Sequence, residues 1–212
     1  MCGIVGFISK NYDKDILVKM TNSLNHRGPD YGGYFFDEIK GIGLGHRRLS
    51  IIDISNNANQ PMSSHCSRYE MIYNGEVYNY KELKKELKYD KWKSNSDSEV
   101  ILEAYSKWGI NFLAKLNGMF SIAIYDKVDD ILILARDRMG IKPLYYYHND
   151  NEIIFSSEIK ALKKLNLKLT ISYSAIYAYL HLGYIPKQFS IYNEIHSLEP
   201  GSNLIYEKSN IK

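Results

Sequence analysis

The chain has 212 residues, enough for one large domain, or a domain with an extension, that buries about 70% of its unfolded surface. Its 27 Lys and Arg residues nearly balance its 24 Asp and Glu residues, and the basic residues form no long block, which argues against a nucleic-acid-binding stripe or a membrane-binding face. The two cysteines, Cys2 and Cys66, make no disulfide framework, and no apolar run approaches the ~20 residues of a membrane span. We therefore expect a soluble protein of a reducing, cytoplasmic compartment, without nucleic-acid or membrane partners.

The start of the chain combines a thiol with a predicted strand. Cysteine is small enough as a second residue for Met1 normally to be removed, which would leave Cys2 with both a thiol and a free α-amine. An α-amine titrates near ~7.7–8.0, so at neutral pH a fraction of it can take the thiol proton. The apolar run over residues 4–8 predicts a buried strand that would hold this terminus inside the fold. The alternative is that Cys2 is a small buried hydrophobic residue at the start of a strand.

The first half of the chain predicts strands, one helix and a long polar loop. Apolar spacing predicts a helix from residue 15 to about residue 24. Two glycine-rich segments, residues 32–36 and 42–46, predict short strands, where glycine often marks close approach of backbone or ligand. A polar loop over residues 55–67 follows, and a loop of that length in a compact domain is more often functional than spare. Residues 69–73 predict the next strand.

The second half predicts helices and hairpins. Two capping boxes, Asn79 with Glu82 and Ser96 with Glu99, predict helix starts, and Gly109 is placed to end the second helix. This register puts Asp97 at the first helical position. Two hairpins and two further helices complete the prediction, over residues 119–135, 144–156, 158–165 and 172–182. This order favours an α+β class in which helices cover stacked antiparallel sheets.

Acyl transfer at a cysteine needs two donors for the oxyanion and groups that fix the substrate. The Asn74 side-chain amide and the Gly75 backbone N–H are a candidate donor pair, although Asn-Gly alone is more typical of a plain hairpin turn. Arg48 offers a planar fork that matches a carboxylate, although neighbouring Arg47 shows how common a strand-end charge is. Asp97 could receive an ammonium group, although the helix dipole also explains an acid there. With the thiol, this set would bind an α-amino acid whose side chain carries an acyl group.

Six motifs, in order along nearly the whole chain, resemble those of the glutamine amidotransferase domain of glutamine-hydrolysing asparagine synthetases, the class II, N-terminal-nucleophile type. They are residues 2–6, 26–30, 48–53, 73–79, 96–100 and 135–146. The resemblance implies the N-terminal nucleophile hydrolase fold, a four-layer αββα sandwich of two antiparallel sheets. It also implies a glutaminase domain over residues 1–190 and a segment, 191–212, that leads toward a synthetase domain.

The resemblance assigns the chemistry of this site to three residues. Cys2 would be the nucleophile after loss of Met1, with its own α-amine as base. Asn74 and Gly75 would form the oxyanion hole. Attack on the side-chain amide of glutamine would release ammonia and leave a γ-glutamyl thioester, which water hydrolyses to glutamate.

The resemblance also assigns the residues that bind glutamine. Arg48 would bind the α-carboxylate, and Asp97, with Glu76 assisting, the α-ammonium. Ile51 and Ile52, together with Asn74 and Gly75, would complete the glutamine site.

The implied partner is an ATP-dependent synthetase domain or subunit that uses the ammonia. That domain carries a Ser-Gly-Gly-x-Asp-Ser phosphate loop in the family, and this sequence has no such run. We therefore expect no cofactor in these residues, with ATP and Mg belonging to the synthetase domain, and no metal site. The nitrogen acceptor, aspartate or another carboxylate, stays open, as does a homodimer. So does the choice between a fragment of a longer synthetase and a short protein that supplies ammonia to a separate partner.

Two other functions stay open from the sequence. One is a different N-terminal-nucleophile amidohydrolase, and the other is a catalytically silent domain that regulates or scaffolds a partner. For residues outside the site, we interpret His26 and His46 as structural hydrogen-bonding groups and Cys66 as an incidental thiol. The run at residues 136–138, Arg-Asp-Arg, is interpreted as an ion-paired structural loop.

Overall fold

Two antiparallel six-stranded sheets stack face to face in the computed structural model, which describes residues 1–186 and 189–212. Strands and helices are numbered along the chain: β1 (Gly3–Ile8), α1 (Lys14–Asn22), β2 (Tyr31–Asp37), β3 (Ile42–Arg48), β4 (Met62–Ser63), β5 (Tyr69–Val77), α2 (Tyr80–Leu87), α3 (Asp97–Trp108), α4 (Phe112–Lys115), β6 (Gly118–Asp126), β7 (Ile131–Arg136), β8 (Tyr145–Asn149), β9 (Glu152–Ser156), α5 (Ile159–Leu162), α6 (Tyr173–Leu182), β10 (Ile195–Ser197), β11 (Asn203–Glu207) and β12 (Asn210–Ile211). The first sheet has the order β10-β8-β9-β1-β3-β2 and the second β12-β11-β7-β6-β5-β4.

Three apolar clusters hold the layers together. Because successive side chains of a strand point to opposite faces, β1 sends Ile4 into the cluster between the sheets and Val5 and Phe7 to the outer face of its sheet. There Val5 and Phe7 pack with Leu17 of α1. The third cluster packs β5, β6 and β7 against α2, α3 and α4. The result is the four-layer αββα sandwich that the sequence predicted.

One predicted turn is wrong. Asn74 and Gly75 do not end a hairpin but lie inside β5, where they pair with Ser121 and Phe120 of β6. An Asn-Gly turn would join two strands that are adjacent in sequence, but residues 74 and 75 pair with β6, which begins more than 40 residues further along the chain. Tertiary pairing therefore overrides the local turn signal.

The two capping boxes are also wrong in detail, although both helices exist. Neither Asn79 nor Ser96 makes a side-chain capping bond. The Asn79 carboxamide accepts from the Asn117 N–H at 2.9 Å. The Glu99 carboxylate accepts from the Ser94 N–H at 2.7 Å. These side chains fix the loops before and around the helices. Gly109 ends α3 as predicted, with a φ of 55°.

Several short elements carried no sequence prediction: β4, α4, β10, β11 and β12. The segment 191–212 adds β10 to the first sheet and β11 and β12 to the second. The ion pairs expected at residues 136–138 do not form among the described residues. Instead, Asp137 accepts hydrogen bonds from the Ile141 and Lys142 N–H groups, and Arg136 donates to the Lys142 carbonyl.

Helix α6 differs from the others because most of its apolar side chains face outward. Its only buried residue is Ala175, whereas Tyr173, Tyr177 and Leu180 are 83%, 72% and 78% exposed. In the described residues, no helix combines the length and apolar character needed to cross a membrane.

Candidate active site

A pocket of about 180 Å³ opens where the start of β1, the end of β3 and the β5–β6 pair meet the start of α3. It brings together every residue that the sequence predicted for the site: Cys2, Arg48, Ile51, Ile52, Asn74, Gly75, Glu76 and Asp97. The site therefore draws on both sheets and on the polar loop after β3. The described residues contain no group of three or more His, Cys, Asp or Glu side chains placed to hold a metal ion.

The Cys2 sulfur lies at the edge of the pocket against the chain after β3. The Leu49 N–H donates to Sγ at 3.4 Å. Burial raises the pKa of the Cys2 thiol, while the Leu49 bond, the N-terminal ammonium and the Arg48 charge act in the opposite direction. In this structure the chain begins at Met1, so the Cys2 nitrogen is part of a peptide bond, and Met1 itself lines the pocket.

Arg27 holds the backbone of the cysteine. Its Nε donates to the Cys2 carbonyl at 2.9 Å, and its Nη1 donates to the Glu158 carboxylate at 2.9 Å. His26 Nε2 also contacts Glu158 at 2.9 Å. Sequence reasoning assigned Arg27 no role. The sequence signal for Arg27 was its place in the motif at residues 26–30. Its contact with the Cys2 carbonyl joins residues 25 positions apart, so sequence spacing alone could not reveal that contact.

Arg48, at the end of β3, is buried beneath the polar loop. Its Nη1 donates to the Ser55 carbonyl at 2.8 Å and to Asn59 Oδ1 at 2.7 Å, and its Nη2 donates to the Asp53 carbonyl. All three acceptors are neutral oxygens, and in the described residues no carboxylate pairs with this guanidinium. The loop therefore fixes the Arg48 fork without neutralising its charge. This gives the long polar loop a structural role in the site.

Asp97 is the first residue of α3 and is only 4% exposed. Its Oδ2 accepts from the Tyr73 hydroxyl at 2.7 Å and from the Val77 N–H at 3.0 Å. Burial raises the pKa of the Asp97 carboxyl, and these two bonds limit the rise. Burial and the adjacent Asp97 charge raise the pKa of Tyr73 well above its ordinary range, so Tyr73 stays a hydrogen-bond donor. Sequence reasoning missed Tyr73 because tyrosines in strands commonly serve only to pack against their neighbours.

Asn74 and Gly75 sit side by side on β5. Asn74 is 1% exposed, and its side-chain NH₂ group has no hydrogen-bond partner in the described part of the chain. A buried donor without a partner is unusual in a folded protein and calls for an explanation. A Cβ at Gly75 would lie 2.3 Å from the Met119 carbonyl oxygen, so only glycine fits there.

His46 and Gln60 support the same strand from behind. Gln60 Oε1 accepts from the Tyr73 N–H at 2.6 Å, and His46 Nε2 lies 3.1 Å from the Tyr73 carbonyl oxygen. Burial lowers the pKa of His46 to about 3, so the ring is neutral at physiological pH and Nε2 must carry the proton that it donates. His46 is thus a structural hydrogen-bonding group, as the sequence analysis interpreted it.

Three predicted residues line the open side of the pocket. Ile51 and Ile52, on the loop after β3, are 71% and 37% exposed. Glu76 is half-buried, and within the described residues its carboxylate accepts no hydrogen bond. The pocket thus has an apolar rim and fixed charges of both signs further in.

Comparison with known proteins gives one matching family, relatives in sequence and solved structures with a similar fold. A family model described as a glutamine amidotransferase domain matches residues 1–212. The chain is 40% identical to a putative glutamine-hydrolysing asparagine synthetase of Methanocaldococcus jannaschii, over 98% of this chain and 44% of that protein. It is also 40% identical to glutamine-hydrolysing asparagine synthetase 1 of Bacillus subtilis, over 95% of this chain and 33% of that protein. The chain thus spans less than half the length of these relatives.

The solved structures show the same fold at low identity. A glutamine phosphoribosylpyrophosphate amidotransferase from B. subtilis superposes with a TM-score of 0.72 at 20% identity, covering 100% of this chain and 48% of that one. A structure described as the allosteric regulatory enzyme of purine biosynthesis gives a TM-score of 0.73, also at 20% identity and with the same coverage.

Proposed function

Because the chain belongs to the glutamine amidotransferase domain family, we propose that Cys2 hydrolyses the side-chain amide of glutamine and supplies the ammonia to an asparagine synthetase-type amidating partner. One observation carries the proposal. A half-buried thiol, an unneutralised guanidinium, a buried carboxylate and an amide donor without a partner in the described residues all line one pocket.

The charges of the pocket suit a free α-amino acid. Arg48 would bind the α-carboxylate as a bidentate pair, and Asp97, assisted by Glu76, would bind the α-ammonium. Ile51 and Ile52 on the rim would cover the aliphatic part of the substrate. An amide without the α-amino and α-carboxyl groups would leave both buried charges unpaired, which disfavours its binding.

The nucleophile requires a free Cys2 α-amine, and therefore removal of Met1. The α-amine takes the thiol proton as the sulfur attacks the amide carbon of glutamine. The same group then gives that proton to the leaving nitrogen, so that ammonia departs and a γ-glutamyl thioester remains. Water, deprotonated by the same amine, attacks the thioester carbon, releases glutamate and restores the thiol.

The Asn74 NH₂ group and the Gly75 N–H would stabilise the oxyanion of both tetrahedral intermediates. This use explains why the buried Asn74 amide has no partner among the described residues. The substrate oxygen becomes negatively charged only during the reaction. A donor directed at that oxygen therefore increases the rate without stabilising the folded protein in the absence of substrate.

The partner in this proposal is an ATP-dependent synthetase domain or subunit, which would hold ATP and Mg and use the ammonia. The relatives named asparagine synthetases are more than twice as long as the matched region. The exposed apolar side chains of α6 offer a surface for such a partner, because large apolar patches of soluble domains usually mark interaction sites.

Glutamate release from glutamine tests the proposal, on protein whose N-terminus has been identified by intact mass. We expect processed protein to release glutamate and to take one glutamine-like electrophile on Cys2. Cys2→Ala should abolish both, whereas Cys66→Ala, the matched control at an exposed thiol, should leave both unchanged. Processed protein that neither releases glutamate nor takes the label, with or without a synthetase partner, would show a silent domain. Hydrolysis of amides that lack the α-groups would show a different amidohydrolase.

A further inference from the structure

Lys142 is a buried lysine that lines the Cys2 pocket and has no assigned role. The residue is only 5% exposed. In the described part of the chain, its ammonium group donates no hydrogen bond and forms no ion pair. A lysine whose side chain is this buried usually has a partner for its charge, so its presence calls for an explanation in the pocket that it lines.

The loop after β7 fixes the backbone of Lys142 from both sides. The Lys142 N–H donates to Asp137 Oδ2 at 3.0 Å, and the Lys142 carbonyl accepts from Arg136 Nε at 2.8 Å. Both partners are themselves held. Asp137 also accepts from the Phe120 N–H at 3.2 Å, and Arg136 also donates to the Leu198 carbonyl at 2.6 Å. Two charged side chains of this loop thus fix the Lys142 backbone along with the neighbouring turn, and the Lys142 side chain lines the pocket.

The charges around the Lys142 ammonium come from several elements. Burial and the Arg27 guanidinium lower the pKa of Lys142, while the Cys2 thiolate, Asp137 and Glu76 raise it. Such electrostatic coupling is mutual, so the ammonium must also favour the thiolate form of Cys2. The N-terminal ammonium and Arg48 also favour that thiolate, and Asp97 opposes it.

We propose that Lys142 is a positioning residue whose charge stabilises the thiolate of Cys2 and the negative charge that develops in the pocket during attack. It acts through the cysteine and does not exchange a proton with the substrate. The inference deepens the proposed function, on which it rests, by assigning an electrostatic role to a loop outside the glutamine-binding set.

Alkylation of Cys2 by iodoacetamide as a function of pH tests this without using glutamine. The protein carries Cys66→Ser so that one thiol reacts, and Met1 removal is checked by mass. Lys142→Met removes the charge and keeps the length of the side chain, whereas Lys142→Arg keeps the charge. Lys85→Met is the control, because Lys85 is exposed on α2, outside the pocket.

Lys142→Met should move the midpoint of the alkylation profile upward by roughly 0.5–1 pH unit, and so lower the rate about three- to tenfold below the midpoint. Lys142→Arg and Lys85→Met should keep the parent midpoint. An unchanged midpoint in Lys142→Met, or an equal shift in Lys142→Met and Lys142→Arg, would overturn the proposal in favour of a packing role. If Lys142→Met loses its thermal unfolding transition, Lys142→Gln takes its place. A parent protein that alkylates normally but releases no glutamate would contradict the proposed function alone.

Discussion

The Tyr73 hydroxyl donates a 2.7 Å hydrogen bond to the carboxylate of Asp97, and this bond connects β5 to the start of α3. It places the proposed ammonium-binding group directly beside the strand that carries the proposed oxyanion donors. This side of the pocket is therefore positioned by a contact between a strand and a helix of adjacent layers. Gln60 of the polar loop and His46 of the first sheet bind the Tyr73 backbone. Both are thereby joined to β5 of the second sheet.

Tyr73→Phe should weaken glutamine binding and lower stability. The change removes the side-chain donor to the buried Asp97 carboxylate and leaves backbone N–H groups such as that of Val77. We expect a higher KM for glutamine and a loss of about 1.5–3 kcal/mol in the free energy of unfolding at pH 7, the range for a bond to a charged group. Because burial already raises the pKa of Asp97, the loss should shrink as the pH falls through that raised value and the carboxyl becomes neutral.

Chemical denaturation at pH 7 and pH 4.5 and steady-state kinetics check this prediction. Tyr173→Phe is the matched control, because Tyr173 is 83% exposed and should behave as the parent. A Tyr73→Phe protein with the KM of the parent would show that Asp97 does not need its hydroxyl partner to bind substrate.

Asn74→Ala should separate activity from stability. Its buried NH₂ group satisfies no partner in the resting protein, so its removal should lower the free energy of unfolding by no more than about 1 kcal/mol. The same change removes an oxyanion donor and should reduce kcat by about 10²–10³-fold with little change in KM. Parallel measurement of kcat, KM and urea unfolding decides the matter. A variant that loses stability but keeps its kcat would give Asn74 a structural role instead.

The sequence predicted which residues share the pocket better than it predicted their surroundings. Cys2, Arg48 and Asp97 carry chemistry that is visible in the residue type, and the order of strands and helices was enough to predict the sandwich. Arg27, Tyr73 and Lys142 contact the site across 24 or more sequence positions or through a loop, and no local pattern signals such contacts. Local signals also failed where tertiary contacts compete with them.

The Asn-Gly pair and the capping boxes show this competition. Asn74 and Gly75 have the composition of a turn, but pairing with β6 stabilises an extended backbone. Glu99 stands at the capping-box position, yet its carboxylate binds the Lys93 and Ser94 N–H groups of the preceding loop. In each case a side chain or backbone group had two possible partners, and only the folded chain determines which partner is near.

Gly75→Ala should destabilise the protein and abolish activity. The added Cβ would meet the Met119 carbonyl oxygen at 2.3 Å, and because that atom is backbone in the neighbouring strand, the strand pair must move. We expect a loss of about 3 kcal/mol or more in the free energy of unfolding.

Gly109→Ala is the matched control for Gly75→Ala. Gly109 has φ 55° and ψ −148° with open space around its Cβ position, so alanine there should cost about 1–3 kcal/mol of backbone strain and leave glutamate release unchanged. Thermal unfolding and glutamate release distinguish the two sites. Retained glutamate release in Gly75→Ala would mean that the strand pair can move without disturbing the site.

Leu180→Ala and Leu17→Ala should differ sharply although both change a leucine in a helix. Leu17 of α1 is fully buried, so its truncation should lower the free energy of unfolding by about 2–5 kcal/mol. Leu180 of α6 is 78% exposed, so its truncation should change that free energy by less than about 0.5 kcal/mol. Urea unfolding of the isolated chain measures both, and a large loss for Leu180→Ala would show that α6 is covered in solution by another copy of the chain.

His46→Gln should change how stability depends on pH. Burial lowers the pKa of His46 to about 3 in the folded protein, below its ordinary value of about 6.5 when unfolded. Between these two values the unfolded chain binds one proton more, so stability falls as the pH drops through this window, by up to about 1.4 kcal/mol per pH unit. Glutamine does not titrate and its amide can still donate to the Tyr73 carbonyl, so the variant should lose stability less steeply from pH 6.5 to pH 4. Urea unfolding at half-unit pH steps gives the two slopes, with His65→Gln, an exposed histidine, as control. Equal slopes in the parent and His46→Gln would mean that the buried ring accepts a proton in the folded state.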